Sequence, residues 1–438
     1  MDPVNHGLVG AAAALSILRM SAPNSRRSTR WAAVGCGFVA GQAPDADRII
    51  DAWLHPYGCN GQGLAYMLYH RGLTHTLLAS LVVVPLLALL TRAVARRASP
   101  PFWHLVAIGG AGILLHLALD AANDYGVHPF YPLSRHWFYG DFLFLAEPTI
   151  ASALLPYVVA AFDDGRRWVL PICSGVGAVL FPLLVVCHEW LMPFGAIVAG
   201  VWLFANALLH RRGPRPWFAW ASVLTVLCGF FLASRYARAR AIAWTATLAP
   251  GKTVTDVVTT PAPANPWCWR VITLTRDGDE FVARMAVKSF LTEFVDARDC
   301  FSPPHGRVPH SVELRSPLAP VATSNPARAG AEVDSRATLV LAEFVGSFEV
   351  FERMARANPR VDAARYFLRV PFWGTRRTGK NPCAANGANE PNATSLIGDL
   401  RVDYDADDVG QFCKYPFPPA YREDFRQWMP YGDPPFLH

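Results

Sequence analysis

The sequence predicts an α-helical membrane bundle of about six to eight membrane segments, followed by a mostly β soluble C-terminal domain. Two observations carry this prediction. Only 17% of the 438 residues are charged and 52% are apolar, whereas ordinary soluble domains carry about 25% charge. The apolar runs lie almost entirely before Arg235, while dispersed charges and frequent prolines follow Ala241. We therefore expect a transmembrane domain at 1–240 and an extramembrane domain at 241–438.

Six apolar runs predict the membrane spans. A helix needs about 20 residues to cross a bilayer, and four runs of about this length contain no Asp, Glu, Lys or Arg: 73–91, 168–188, 190–210 and 216–234. The run 102–119 is nearly as long. The run 142–162 contains a single acid, Glu147, and we expect it to cross as well.

Two shorter runs, 7–18 and 31–43, are marginal as spans. We expect them to be re-entrant or packed against the bundle. The first is similar to the apolar part of a signal peptide, but the preceding residues MDPVNH contain no cation and no A-x-A cleavage site follows. We therefore predict that this run is retained.

Arginine positions predict the orientation, because cytoplasmic loops near span ends are enriched in Lys and Arg. If every run crosses and the chain starts outside, one face receives eleven arginines: Arg26, Arg27, Arg30, Arg92, Arg96, Arg97, Arg166, Arg167, Arg211, Arg212 and Arg215. The other face receives six, which are Arg48, Arg71, Arg135, Arg235, Arg238 and Arg240. The last three favour the opposite assignment for that one end. The balance nevertheless favours an external N-terminus and an external tail.

The polar tail has the pattern of a β domain. Two β-rich runs, 270–275 and 280–287, flank Asp277-Gly278, which is a hairpin signal. The runs 338–351 and 365–373 are further strand candidates, and 384–394 is a predicted loop. The tail contains four cysteines: Cys268, Cys300, Cys383 and Cys413. Because disulfides persist outside the cytosol, one or two bridges of open pairing are expected, with unpaired buried thiols as the alternative.

The first motif that carries chemistry is H70-R-G-L-T-H75. Its histidines would lie on different faces of one helix. Gly72 permits a turn, however, and Thr74 is suited to cap the helix that opens the next span. Both imidazoles can then gather at the mouth of a helix.

The second motif places His116 and Asp120 four residues apart, so that on a helix they share a face and can chelate one ion. An unpaired carboxylate at the end of an apolar span costs several kcal/mol unless it is paired or bound to a cation. Two shorter patterns add His6 and the pair Asp45 and Asp47. Four residues are weaker candidates: His128, His136, Asp141 and Glu147.

Topology brings these residues to one place. With the orientation chosen from arginines alone, six of them fall at the same membrane face: His6, Asp45, Asp47, His70, His75 and Asp120. Metal binding by His70, His75, His116 and Asp120 is the simplest common explanation for these motifs. A mixed set of imidazoles and carboxylates favours zinc, although manganese or iron would also be tolerated.

These motifs together resemble those of the YdjM-like family of bacterial inner-membrane metal-dependent hydrolases, over about the first 150 residues. That family is thought to be distantly similar to zinc-dependent phospholipase C and single-strand nucleases. The resemblance implies the metal ligands His6, Asp45, His70, His116 and Asp120. It also implies that His75 and Asp47 are either further ligands or residues that support the ligands. A second H-x-x-x-D motif is lacking in the later part of the sequence, which favours one or two ions over three.

The function implied is metal-assisted hydrolysis of a lipid or another phosphoester at the outer face of the inner membrane. Asp47 or Asp124 would act as general base, and Arg71 would stabilise an anionic substrate. Two alternatives stay open, a metal-braced assembly or sensor protein and an ion transporter. Membrane lipid is the expected surrounding and a candidate substrate, while protein partners stay open. The arginines form no basic stripe, so we expect no nucleic acid partner.

Overall fold

The computed structural model describes residues 3–47, 71–134, 136–162, 193–301, 318–319, 336–357, 369–376 and 394–399. Within these ranges the chain forms eight α-helices and an antiparallel sheet. Seven helices precede the sheet: α1 Pro3–Ser21, α2 Arg27–Gln42, α3 Leu77–Ala95, α4 Phe102–Ala121, α5 Pro148–Ala160, α6 Pro193–His210 and α7 Pro216–Leu248.

Three stretches in the described part of the chain are long and apolar enough to cross a membrane: Leu77–Ala98, Phe102–Ala121 and Pro216–Leu248. The helices Pro148–Ala160 and Phe194–His210 are apolar but shorter. The expectation of six to eight spans is therefore not confirmed. The predicted run 168–188 lies outside the described residues.

The predicted run 142–162 yields a helix of only 13 residues, which is shorter than the about 20 residues of a bilayer span. Its first residues are not helical, and the amides of Phe142 and Leu143 donate to the Ala122 carbonyl instead. Glu147 then caps the helix by accepting from the Thr149 amide. In contrast, α7 continues past the predicted end at 234 to Leu248.

Small residues bring α1, α2 and α4 into close contact. A methyl group added at Gly10 would overlap the carbonyl of Gly37, and one added at Gly41 would overlap the carbonyl of His6. A methyl group added at Gly112 of α4 would lie 2.9 Å from the Ala40 methyl group. Small side chains allow helix backbones to approach in membrane bundles. The short run 7–18 is thus packed inside the bundle, with most of α1 buried.

The sheet has the strand order β1-β2-β3-β5-β4, and a separate two-stranded sheet pairs β6 with β7. The strands are β1 Thr253–Ala262, β2 Asn265–Asp277, β3 Glu280–Ser289, β4 Leu318–Ala319, β5 Thr338–Ser347, β6 Pro371–Arg376 and β7 Thr394–Asp399. The predicted hairpin is present, since Asp277 pairs with Glu280 around Gly278, whose φ is +60°.

Two tail predictions need correction. The run 338–351 is a strand only to Ser347, because helix α8 Phe348–Ala357 begins there, with the Phe348 amide bonded to the Asp279 carbonyl. In the run 365–373, residues 365–368 lie outside the described residues, Arg369 and Val370 form a bend, and strand β6 begins at Pro371. Most of the predicted loop 384–394 also lies outside the described residues. Cys268 and Cys300 form a disulfide.

The sheet packs against α7 through a shared apolar cluster. Ala241 and Trp244 of α7 belong to this cluster together with Val257, Trp269 and Val271 of β1 and β2. The edge strand β1 also lies beside the loop that joins α4 to α5, because Thr259 Oγ1 donates to the Asp141 carbonyl at 2.7 Å. That loop leads directly from the predicted ligand Asp120.

Candidate metal centre

Four helix ends converge at one face of the bundle. His6 lies in the first turns of α1, Asp45 follows the end of α2, His75 precedes α3, and His116 and Asp120 lie near the end of α4. Neighbouring helices run in alternating directions, so starts and ends meet at the same level. The sequence prediction of a shared face is thus consistent with the packing.

Four side chains form a compact group of potential ligands: Asp45, His75, His116 and Asp120. One donor atom from each lies within 4.8 Å of all the others. The Nε2 atoms of the two histidines are 3.3 Å apart. Asp120 Oδ2 lies 3.4 Å from His116 Nε2 and 3.5 Å from His75 Nε2. Asp45 Oδ1 lies 3.5 Å from His75 Nε2 and 3.9 Å from His116 Nε2.

These separations fit a common ion better than direct hydrogen bonds. Nitrogen and oxygen ligands lie about 2.0–2.2 Å from zinc, so the edges of a tetrahedron of such ligands are about 3.3–3.6 Å long. Most donor separations in the group fall in this range, whereas hydrogen bonds are usually 2.7–3.2 Å long. The donor set therefore fits a divalent cation, with two imidazoles and two carboxylates as its ligands.

Both imidazoles are oriented by their other ring nitrogen. His116 Nδ1 lies 2.7 Å from the carbonyl oxygen of Gly41, to which it donates. His75 Nδ1 lies 3.1 Å from Thr74 Oγ1, which in turn donates to Asp47 Oδ2 at 3.2 Å. When Nδ1 carries the proton, the lone pair of Nε2 is directed to the centre. Metal-binding histidines in proteins are usually oriented in this way.

The carboxylates give the centre an affinity for positive charge. Burial lowers the pKa of His75, but contacts with Asp120 and Asp45 and the charge of Asp47 outweigh it and raise the pKa. Burial raises the pKa of Asp45, yet its contacts with His75 and His116 hold it well below the usual value. A cation of higher charge than a proton would benefit from the same carboxylates.

A family model described as YdjM inner membrane protein matches residues 1–242, which is more than half of the chain. The chain belongs to the YdjM inner membrane protein family. Neither a curated protein nor a solved structure is significantly similar to it. The matched region contains the whole four-residue group and ends within α7, so the sheet of this YdjM-family protein lies beyond the match.

His6 and His70 complete the predicted ligand set. The His6 ring stacks on His116 with ring centroids 3.7 Å apart, and its Nε2 lies 3.4 Å from Asp120 Oδ1. His6 therefore lies beside the four-residue group, on the opposite oxygen of Asp120. His70 lies outside the described residues.

Arg71 is bound to protein groups. Its Nη2 donates to Asp120 Oδ1 at 2.8 Å, and its Nη1 donates to Asn123 Oδ1 at 3.1 Å and to the Gly126 carbonyl at 2.8 Å. The side chain is 1% exposed. Its backbone is in the left-handed region, with φ at +60°, and its amide donates to Asp47 Oδ2 at 3.0 Å. These contacts orient Asp120 and Asp47.

Asp124 faces the sheet of this YdjM-family protein. Its Oδ2 accepts from Thr260 Oγ1 at 2.5 Å and lies 3.8 Å from Arg270 Nη2. Glu147 makes a second connection, because it accepts from the Ala264 amide at 3.2 Å while its carbonyl accepts from Asn5 Nδ2 at 3.0 Å. Asn5 is the neighbour of His6.

A buried ion cluster, which the sequence analysis missed, makes the third connection. The guanidinium of Arg369 donates twice to Asp141, at 2.6 and 2.8 Å, and twice to Asp256, at 2.8 and 3.1 Å. Arg238 of α7 lies 3.9 Å from Asp141 and 3.7 Å from Asp256. Asp141 is in the loop that follows Asp120, so this cluster joins that loop to β1 and to α7.

The two remaining histidine candidates differ in burial. His128 is fully buried and packs on Trp137 with ring centroids 4.4 Å apart. Burial, with a smaller effect of nearby His75, lowers its pKa to about 3, so it is neutral at physiological pH. His136 is exposed and packs on Phe138.

Proposed function

We propose that this protein is a membrane-embedded metal-dependent hydrolase that acts on a lipid or another phosphoester. Asp45, His75, His116 and Asp120 would hold the cation. His6 would lie beside these ligands, at Asp120 Oδ1, and His70 is a ligand expected from the sequence. Zinc suits this mixed set best. The observation that carries the proposal is the group of four donor atoms, in which both Nε2 atoms face the carboxylates.

A bound divalent cation supplies Lewis-acid chemistry, in that it acidifies water and polarises a phosphoryl or acyl oxygen. The chain's own residues position the ligands. Asp47 orients His75 through Thr74, and the guanidinium of Arg71 holds one oxygen of Asp120. We therefore propose Asp47 and Arg71 as positioning residues rather than as general base and substrate clamp.

Asp124 is also better suited to a positioning role than to that of a general base. Asp124 is buried, with 3% of the residue exposed, and its carboxylate accepts a hydrogen bond from Thr260. It thereby connects the loop after Asp120 to β1. We propose that it fixes this loop against the sheet.

The contacts of Asp120 favour one ion over two. A carboxylate that bridges two ions would present one oxygen to each. Here Asp120 Oδ2 faces the four-residue group, whereas Oδ1 is bound by the cationic guanidinium of Arg71 at 2.8 Å. Arg71 thus supplies the positive charge at the position where a second ion would lie.

We propose that the centre and the sheet lie on the external, periplasmic side of a bacterial inner membrane. The support comes from two observations. The Cys268–Cys300 disulfide fits an oxidising compartment. The hydrogen bond between Thr260 and Asp124 puts the sheet at the same end of the bundle as the centre.

A second candidate is a non-catalytic assembly or sensor protein in which the ion only braces the helices. The burial of His75, His116 and Asp120, each at most 1% exposed, favours it, because structural metal sites are closed and catalytic sites keep an open position. A substrate would enter from the side of Asp45, which has 10% of its side chain exposed.

An ion transporter is less well supported, because it needs polar groups through the whole bilayer thickness.

Turnover separates these candidates. Purified protein in detergent would be incubated with a panel of phospholipids and with a soluble phosphodiester, with and without chelator. Product formation that vanishes with chelator and returns with zinc supports the hydrolase. A stoichiometric bound metal without any product would favour the bracing role.

A further inference from the structure

Four large apolar side chains lie exposed on loops beside the metal centre. They are Leu73, Phe130, Leu133 and Phe138, with exposed fractions of 52, 47, 95 and 39%. We call these four residues the apolar rim. Leu73 precedes the ligand His75 by two residues, and the other three follow α4 in the loop to α5. Phe130 and Phe138 pack edge to face, with ring centroids 5.7 Å apart.

The apolar rim is continuous with the lipid-facing surface of α3. The Leu77 amide, at the first residue of α3, donates to the Pro129 carbonyl at 2.8 Å. Only 11% of the span that includes α3 is buried in the protein, and Leu78 and Leu81 are 52 and 72% exposed. The surface that a bilayer must cover therefore reaches the start of α3, where the loop with Phe130 and Leu133 is attached.

The backbone of this loop suits an apolar surrounding. The Tyr131 amide donates to the His128 carbonyl at 3.2 Å. The amides of Leu133 and Ser134 donate to the Phe130 carbonyl at 2.8 and 3.0 Å. The residue between Tyr131 and Leu133 is Pro132, which has no N–H group. Unsatisfied backbone groups are costly in a bilayer, and these three amides keep their hydrogen bonds when the turn enters the leaflet.

We infer that the apolar rim lies among the lipid chains of the leaflet nearest the metal centre. The substrate is then an amphiphilic lipid, whose polar head reaches the centre while its chains stay against the rim. The inference about the substrate rests on the proposed function, whereas the inference about the surface does not.

The test uses the full chain in its native membrane. The photo-crosslinking residue p-benzoylphenylalanine replaces Leu133 in one variant and Phe130, an aromatic position, in another. Leu81 on α3 is the matched lipid-facing control, and the exposed Asp277 at the end of β2 is the matched aqueous control. After irradiation, mass spectrometry measures lipid adducts, and wild-type resistance to limited proteolysis shows that each variant is folded.

We expect lipid adducts at both rim positions within about threefold of the yield at Leu81 and about tenfold above that at Asp277, because a side chain in the leaflet meets mainly acyl chains. Yields like that of Asp277, or adducts to another protein, would overturn the inference. Hydrolysis is measured separately. Lipid adducts without hydrolysis refute the proposed function alone, and hydrolysis of a soluble phosphodiester without lipid adducts refutes the surface alone.

Discussion

His116 Nδ1 donates a hydrogen bond to the carbonyl oxygen of Gly41, and the two atoms are 2.7 Å apart. This bond couples the last turns of α2 and α4. It also fixes the ring so that Nε2 faces His75 and the carboxylates. Gly41 packs on the backbone of His6, so the same residue determines how closely the first turn of α1 approaches α2.

Replacing Gly41 with alanine should therefore weaken metal binding. The added methyl group overlaps the His6 carbonyl and must push α1 away from α2, which displaces the carbonyl that orients His116. Loss of such an orienting contact lowers metal affinity by about 10–100-fold. Isothermal titration with zinc measures the effect. Gly35→Ala on the same helix meets no atom within 4 Å and should bind zinc like the wild type; equal affinities for both variants would contradict this account.

Arg71→Lys should lower metal affinity by about 10–100-fold as well. Lysine keeps the charge, but it cannot contact Asp120, Asn123 and the Gly126 carbonyl at once, since these contacts use both terminal nitrogens of the guanidinium. Competition with a zinc chelator measures the change. Arg97→Lys, at an exposed position, is the control and should have no effect. A gain of a second bound ion in Arg71→Ala would fit the single-ion proposal, whereas two ions in the wild type would refute it.

Arg369→Ala should destabilise the contact between the sheet and the bundle by about 3–5 kcal/mol, because it leaves two buried carboxylates without their main cation. Both carboxylates, Asp141 and Asp256, accept from Arg369. Thermal unfolding and the rate of proteolysis of the tail measure the loss. The control is Arg336→Ala. Arg336 lies 4.0 Å from Asp296 and 70% of its side chain is exposed, so this substitution should lower the free energy of unfolding by less than about 1 kcal/mol. Equal stability of the two variants would show that the ion cluster does not hold the sheet.

Within this cluster, Asp256 should make an acid-sensitive contribution to the attachment of the sheet. Burial raises the pKa of Asp256, but Arg369 and Arg238 outweigh it and lower the pKa below its ordinary value of 3.8. The stabilisation from Asp256 is therefore complete above pH 3.8 and is lost as the pH falls through the lower, folded-state pKa. The pH dependence of thermal unfolding between pH 2 and 5, a window of about the carboxylate pKa range, tests this in wild type and Asp256→Asn. A wild-type curve no steeper than that of the variant would exclude the effect.

Much of the bundle and of the centre follows from local patterns. The i, i+4 spacing of His116 and Asp120 and their place at the end of an apolar run predicted a shared helix face, and arginine counts predicted which other helix ends join them. These are properties of single segments, which a sequence displays directly.

The remaining features depend on contacts between distant segments. Arg71 was predicted to bind substrate because a guanidinium suits a phosphate, and its neighbours in the sequence do not reveal that Asp120, Asn123 and Gly126 surround it. Asp124 contacts Thr260, which is 136 residues away. Strand β1 was missed because it contains Asp256 and Pro261, residue types that are depleted in strands. The charges of 235–240 concealed the continuation of α7.

The measurement that tests the central claim most directly is the metal content of the purified protein and of two ligand variants. Wild type should contain about one equivalent of a divalent metal, while His116→Ala and Asp120→Ala should contain less than about a tenth of that, because each loses a ligand from a set of four. His136→Ala, at an exposed position outside the group, should keep the full amount. Stoichiometric metal in both ligand variants, or none in the wild type after reconstitution with zinc, would contradict the account.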